Sequence, residues 1–134
     1  MVVKLSTATI RSIGTFEKIT KVHAKDCIPT ESCIYFLVDS QNVGLAIGKS
    51  GVVVKEVSRV LGKMVKVLPY ADSMEQMVKN MIPSASSIDK KDNFVTVTVP
   101  PRDKTAAIGR NGENIKILKT ILERYFNVAD LKIR

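Results

Sequence analysis

Across 134 residues, 21 Lys and Arg stand against 13 Asp and Glu, leaving a formal charge of +8 and a pI near 9.6. Such a balance suits a polyanionic partner, nucleic acid before anionic lipid, while the absence of any apolar run near the roughly 18 residues of a membrane span argues against a transmembrane helix. Cys27 and Cys33, with five residues between them, and the single His23 make no recognised zinc spacing, and no metal or cofactor is expected.

The opening MVVKLSTATI has neither the long apolar core nor the small-residue cleavage site of a secretory signal, so the expected location is cytoplasmic. Reduced thiols fit that compartment, and Cys33 is expected in the core. From there Leu5, Ile10, Ile13, Phe16 and Ile19 recur at helical spacing. Val22 to Ile28 reads as a strand that turns at Pro29, and Ile34, Phe36 and Val38 alternate as in a half-buried strand. Tyr35 and Phe36 then point to opposite faces, with Phe36 toward the core. A short helix leads into GLAIGKSG, Gly44 to Gly51, and a longer helix carrying Val54, Val57, Val60 and Leu61 runs to Gly62 as its stop. KMVKVL, Lys63 to Leu68, closes the unit as a strand, and PYAD, Pro69 to Asp72, is left as a linker.

The second half follows the same order. Ser73 with Gln76 is a capping-box pattern, followed by Met74, Met77, Val78 and Met81 at helical spacing up to Pro83. A strand at Ser86 to Lys90, a turn at Lys91 to Asn93 and a strand at Phe94 to Val99 come next. Another short helix, the loop IGRNG and a long helix follow, this one four or five residues longer than its counterpart because ERYFNVA replaces the stop. Tyr125 and Phe126 are expected to cover its end, and DLKIR forms the last strand. The expected fold class is α+β in two units, 1–70 and 71–134, each helix-strand-strand-helix-helix-strand with a three-stranded sheet covered by helices, the two packed closely across a short linker.

An internal repeat underlies this order. Ala46, Ile47, Gly48 and Gly51 recur 61 positions later as Ala107, Ile108, Gly109 and Gly112. Val54, Lys55, Val57, Val60 and Leu61 match Ile115, Lys116, Leu118, Ile121 and Leu122, and Ile34, Phe36 and Val38 match Val95, Val97 and Val99. The repeat decides what the glycine loop is for. GLAIGKSG has the residue types of a P-loop, but Val43 stands where the first obligatory glycine belongs, and the second copy offers Arg110 and Asn111 in place of Lys49 and Ser50. No Ser or Thr is available there for magnesium. What both copies keep is Gly, a cation, a small polar residue and Gly between two helices. Such a loop has no Cβ in the way of a phosphodiester, and the longer helix presents its free amides and positive dipole end at the same place.

A GxxG loop clamping single-stranded backbone is how the KH module binds RNA, and IGKSG and IGRNG, each followed by an aliphatic-Lys helix, resemble tandem KH domains of the helix-first type II form. The opening LSTATIRSIGTFEKIT, the run VGLAIGKSG and the close pairing of the units resemble archaeal NusA-like transcription factors over nearly the whole chain. The resemblance implies a role in termination, antitermination or elongation, with single-stranded RNA as ligand and RNA polymerase or the elongation complex as a further partner. It implies that Gly48, Lys49, Ser50 and Gly51 and their counterparts Gly109, Arg110, Asn111 and Gly112 hold phosphates. Ile47 and Ile108 would wall the groove against bases, and Lys55, Lys116 and Asn114 would add contacts further along. Bacterial NusA proteins carry additional polymerase-contacting domains, so no residue here inherits that contact. One departure stands out: Val52 and Val53 occupy the positions of Glu113 and Asn114, and at least one valine is expected to pack against the sheet or the neighbouring unit, the alternative being an apolar platform for a base. A ribosome-associated KH protein is the alternative, and a P-loop-like enzyme a remote one. His23 and the scattered carboxylates Asp39, Glu56 and Glu113 form no acid-base pair, and no enzymatic activity, no membrane association and a monomeric state are expected.

Overall fold

The computed structural model describes residues 6–134. Two compact units emerge, one ending at Ala71 and the other spanning Asp72–Arg134. Their elements follow in the same order. In the first, α1 (Thr7–Thr20), β1 (Asp26–Pro29), β2 (Cys33–Asp39), α2 (Val43–Ile47), α3 (Val52–Leu61) and β3 (Met64–Tyr70) succeed one another; in the second, α4 (Met74–Met81), β4 (Ser87–Lys91), β5 (Phe94–Thr98), α5 (Lys104–Ile108), α6 (Glu113–Tyr125) and β6 (Asp130–Ile133).

Local chemistry sets the ends of these elements. Ser6 caps α1 by accepting the Thr9 N–H at 3.1 Å, and Ser73 caps α4 by accepting the Gln76 N–H at 3.1 Å, each satisfying an otherwise orphan donor. Gly62 ends α3 in the left-handed conformation at φ 70°, a geometry that costs glycine little. Lacking that stop, α6 continues to Tyr125 and is 13 residues long against 10 for α3. The extension is thus three residues, slightly less than the sequence suggests.

Each sheet has three strands. β1 pairs antiparallel with β2 and β2 parallel with β3; β4, β5 and β6 repeat that arrangement. The parallel pair is joined through the two helices and the loop between them, which fixes that loop at one end of the sheet. In the first unit Phe16, Val22, Ala24, Cys27, Ile34, Phe36, Val38, Ala46 and Val57 form the core, and the Phe16 and Phe36 rings stack with centroids 4.2 Å apart. Buried in the second unit are Met77, Val78, Val95, Val97, Ile117, Leu118, Ile121, Leu122, Leu131 and Ile133. Tyr125 and Phe126 are half-buried at the end of α6.

Two strands differ from the sequence-based expectation. β1 starts at Asp26 rather than Val22, because side chains of α1 take the backbone donors of that stretch: Thr20 Oγ1 accepts the Val22 N–H at 3.1 Å and the Glu17 carboxylate accepts the Ala24 N–H at 2.8 Å. β3 runs on through Pro69 and Tyr70, which lie opposite Val38 and Asp39, and the Tyr70 carbonyl accepts the Ser40 hydroxyl at 2.8 Å. Proline is tolerated there because β3 is an edge strand. Only Ala71 and Asp72 of the expected linker remain outside both β3 and the capped helix. The half-buried pattern holds for β5, whereas every residue of β2 from Cys33 to Val38 is buried. On the face of β2 away from the core, the Lys66 ammonium lies 5.7 Å from the centroid of the Tyr35 ring.

Candidate nucleic-acid interface

The two glycine loops have one backbone conformation. Gly48, Ser50 and Gly51 have φ/ψ of 77/171°, 56/25° and 76/14°, and Gly109, Asn111 and Gly112 have 81/169°, 56/24° and 73/14°. Three left-hand-side φ values within four residues account for the glycines. They also account for the middle residue, since Asn, and less readily Ser, accepts the left-handed conformation. Each loop is closed by its own amides. Gly48 and Gly51 donate to the Gly44 and Gly48 carbonyls at 2.9 and 3.1 Å, and Gly109 and Gly112 to the Thr105 and Gly109 carbonyls at 3.0 Å each. The amides of Lys49, Ser50, Arg110 and Asn111 take no part in these closing bonds.

The first glycine of each loop is required for space as well as for φ. A Cβ on Gly48 would lie 2.9 Å from Val53 Cβ, and one on Gly109 would lie 2.7 Å from the Asn114 backbone nitrogen. The loop thus lies directly on the first turn of α3 or α6, where unpaired helix amides and the positive dipole end gather. The second glycine is open on its outer side. At Gly51 and Gly112 the nearest group to an added Cβ is the Cε of Lys55 or Lys116, 3.7 Å away in both loops. These lysines extend back toward the loop, as side chains near a helix N-terminus tend to do. Each loop therefore carries two cations, Lys49 with Lys55 and Arg110 with Lys116, all four exposed.

Val53 and Asn114 occupy the same place under the loop but hold it differently. The Asn114 side-chain amide donates to the Ala107 carbonyl at 2.9 Å and to the Met81 carbonyl at 3.2 Å. It joins the ends of α5 and α4 to the start of α6, so its donor group is turned inward. Val53 is half-buried against Gly48 of its own loop, while Val52 is 64 % exposed. Leu45, which no sequence pattern singles out, is 67 % exposed on the other flank of the first loop. Ile47 and Ile108 are half-buried, and Ala46 and Ala107 are buried. Among the described residues no group of three His, Cys, Asp or Glu comes together, and no helix is long and apolar enough to cross a membrane.

A mixed α+β unit with a three-stranded sheet, and a GxxG loop between a short and a long helix at one end of it, is the arrangement of a KH domain. The model of the NusA-like second KH domain matches residues 74–134. Over 98 % of its length the chain is 31 % identical to the probable transcription termination protein NusA of Methanocaldococcus jannaschii, covering 75 % of that protein. Against the protein of that name from Halococcus morrhuae it is 33 % identical, with 99 % of each chain covered. The chain belongs to the NusA family. Among solved structures, the crystal structure of APE1850 matches with a TM-score of 0.81 and 33 % identity, over 97 % of this chain and all of that one.

Proposed function

We propose that this chain is an archaeal-type NusA transcription factor that acts in termination, antitermination or elongation by holding single-stranded RNA with tandem type II KH domains. The observation that carries this reading is the coincidence of the two loop conformations. Two copies with different middle residues keep the same frame, with two glycines, two cations and a helix N-terminus facing one place. Gly48, Lys49, Ser50 and Gly51, and Gly109, Arg110, Asn111 and Gly112, hold phosphates through backbone amides and the two long cations. Lys55 and Lys116 supply the second charge of each clamp, Ile47 and Ile108 press against bases, and Asn114 positions the second loop rather than donating to RNA. No step of this binding requires a metal, a nucleotide or a catalytic residue.

The test replaces Lys49-Ser50 and Arg110-Asn111 together by Asp-Asp, with affinity for single-stranded RNA, duplex RNA and single-stranded DNA measured across a salt series. The unaltered chain should favour single-stranded RNA. The variant should lose most of that affinity while keeping its circular dichroism spectrum, and the slope of log K against log salt should fall by about 0.7 for each phosphate contact removed. Unchanged affinity in a folded variant would overturn the loop assignment, and preference for duplex RNA would favour a ribosome-associated role. Crosslinking in the native cell, followed by sequencing of the bound RNA, tests the link to transcription and to RNA polymerase.

A further inference from the structure

The face of the second sheet turned away from its core differs from its counterpart in the first. Strand alternation puts Val95 and Val97 in the core and Phe94, Thr96 and Thr98 on the opposite face, and the register of β4 sets Lys91 opposite Phe94 and Asp89 opposite Thr96. In the first unit Ile28, Cys33, Tyr35 and Leu37, which stand 61 positions before Asp89, Phe94, Thr96 and Thr98, are all buried. In the second, Asp89, Lys91 and Arg134 are exposed and Phe94 is 57 % exposed. Together with Asp92 and Thr96 they line a shallow concavity of about 350 Å³, within the roughly 300–1,000 Å³ of small-molecule sites. Among the described residues the Phe94 ring meets no other ring or ammonium, and Asp89, Lys91 and Arg134 enter no ion pair.

The composition of this concavity selects its ligand. An exposed aromatic face takes another flat ring. Lys91 and Arg134 suit a phosphate, while the carboxylates of Asp89 and Asp92 accept hydrogen bonds and donate none. With two cations and two carboxylates in the lining, there is no net field to draw a polyanion in general. The match is to a ligand that combines a flat ring, N–H donors and a phosphate. Guanine presents adjacent N–H donors on its Watson–Crick edge, whereas uracil presents a single one. We propose that this face is a nucleotide site in which Phe94 stacks on a guanine base, Asp89 accepts from the base's N–H donors, and Lys91 and Arg134 hold the attached phosphate. The guanosine monophosphate unit arrives free or within an RNA strand. No residue of the site belongs to a glycine loop, so it stands independently of the clamp reading.

Backbone amide chemical shifts of the full chain, recorded in titrations with guanosine monophosphate, uridine monophosphate and the tetranucleotide UUGU, test the site. Guanosine monophosphate should move the amides of Asp89, Lys91, Phe94 and Arg134, and bind about tenfold more tightly than uridine monophosphate. Phe94→Ala should weaken binding about tenfold, Phe94→Tyr should retain it, and Asp89→Asn should remove the preference for guanine while leaving the uridine nucleotide unaffected. Because both side chains are exposed, the variants should melt close to the unaltered chain. Tighter binding of the strand than of the free nucleotide, with the same amides moving, would identify RNA as the source; equal binding would identify a free nucleotide. Shifts confined to the glycine loops, or a response unchanged in Phe94→Ala, would overturn the site. Shifts at Phe94 that follow protein concentration without ligand would replace it by contact between copies of this chain. With Asp-Asp at both glycine loops the response to guanosine monophosphate at Phe94 should persist, and its loss there would overturn the separate site while leaving the clamp reading intact.

Discussion

At the residue scale, the side chain beneath each loop decides what the loop tolerates. Gly109→Ala places a methyl group 2.7 Å from the Asn114 nitrogen at φ 81°, combining a clash with a disfavoured backbone, and should destabilise the second unit by roughly 2–4 kcal/mol. Urea denaturation measures this loss directly. Asn114→Ala removes the donor shared by the Ala107 and Met81 carbonyls and should cost about 1–2 kcal/mol. Asn114→Val, which copies the residue at position 53, should not restore it, since the carbonyls at Ala107 and Met81 would still lack their donor. If Asn114→Val were as stable as the unaltered chain, the polar strut would be dispensable. The presence of Asn114 near the loop was legible in the repeat, but its inward orientation was not. A polar residue at a helix start reads equally well as a ligand contact until the carbonyls it serves are in view.

At the element scale, alternation and capping signals located nearly every helix and strand, because these patterns follow from the chain's own periodicity. The boundaries that moved were set by groups distant in sequence. The Glu17 carboxylate claims the Ala24 amide, and no period within residues 22–28 records that. Likewise Pro69 looks like punctuation in a linear reading, yet an edge strand accommodates it opposite Val38. Electrostatics at the start of β6 gives a pH prediction. The Leu131 amide, and secondarily Lys119 at 3.2 Å, hold the Asp130 carboxyl below its ordinary range. A depressed folded-state pKa contributes stability above the unfolded value and loses it as pH falls through the folded one. The decline in melting temperature on acidification should therefore be slightly shallower in Asp130→Asn than in the unaltered chain. The effect is small because the pair is exposed, and identical curves would show that the ion pair does not act on folding.

For the whole molecule, the +8 charge and the repeat are the informative signals, and together they point to the loops. The charge alone does not distinguish partners; the repeat does, by showing which loop residues are kept and which vary. What neither disclosed was the unequal exposure around the loops, since burial depends on packing that brings together α2, α3 and the sheet. Asp-Asp introduced at one loop at a time should accordingly remove part of the affinity for single-stranded RNA and lower the salt slope by less than the double variant does. A full loss of affinity from either single-loop variant would mean that the two loops do not contribute separately.

The matching dihedrals of the two loops have a consequence for how such a protein diversifies. A frame built by two glycines and the helix beneath them leaves its two central positions as an exchangeable cassette. Lys49-Ser50 and Arg110-Asn111 can trade places with little disturbance to the backbone, since Ser50 and Asn111 already share a φ of 56°. The grip can thus be retuned at two positions without rebuilding the scaffold that holds them.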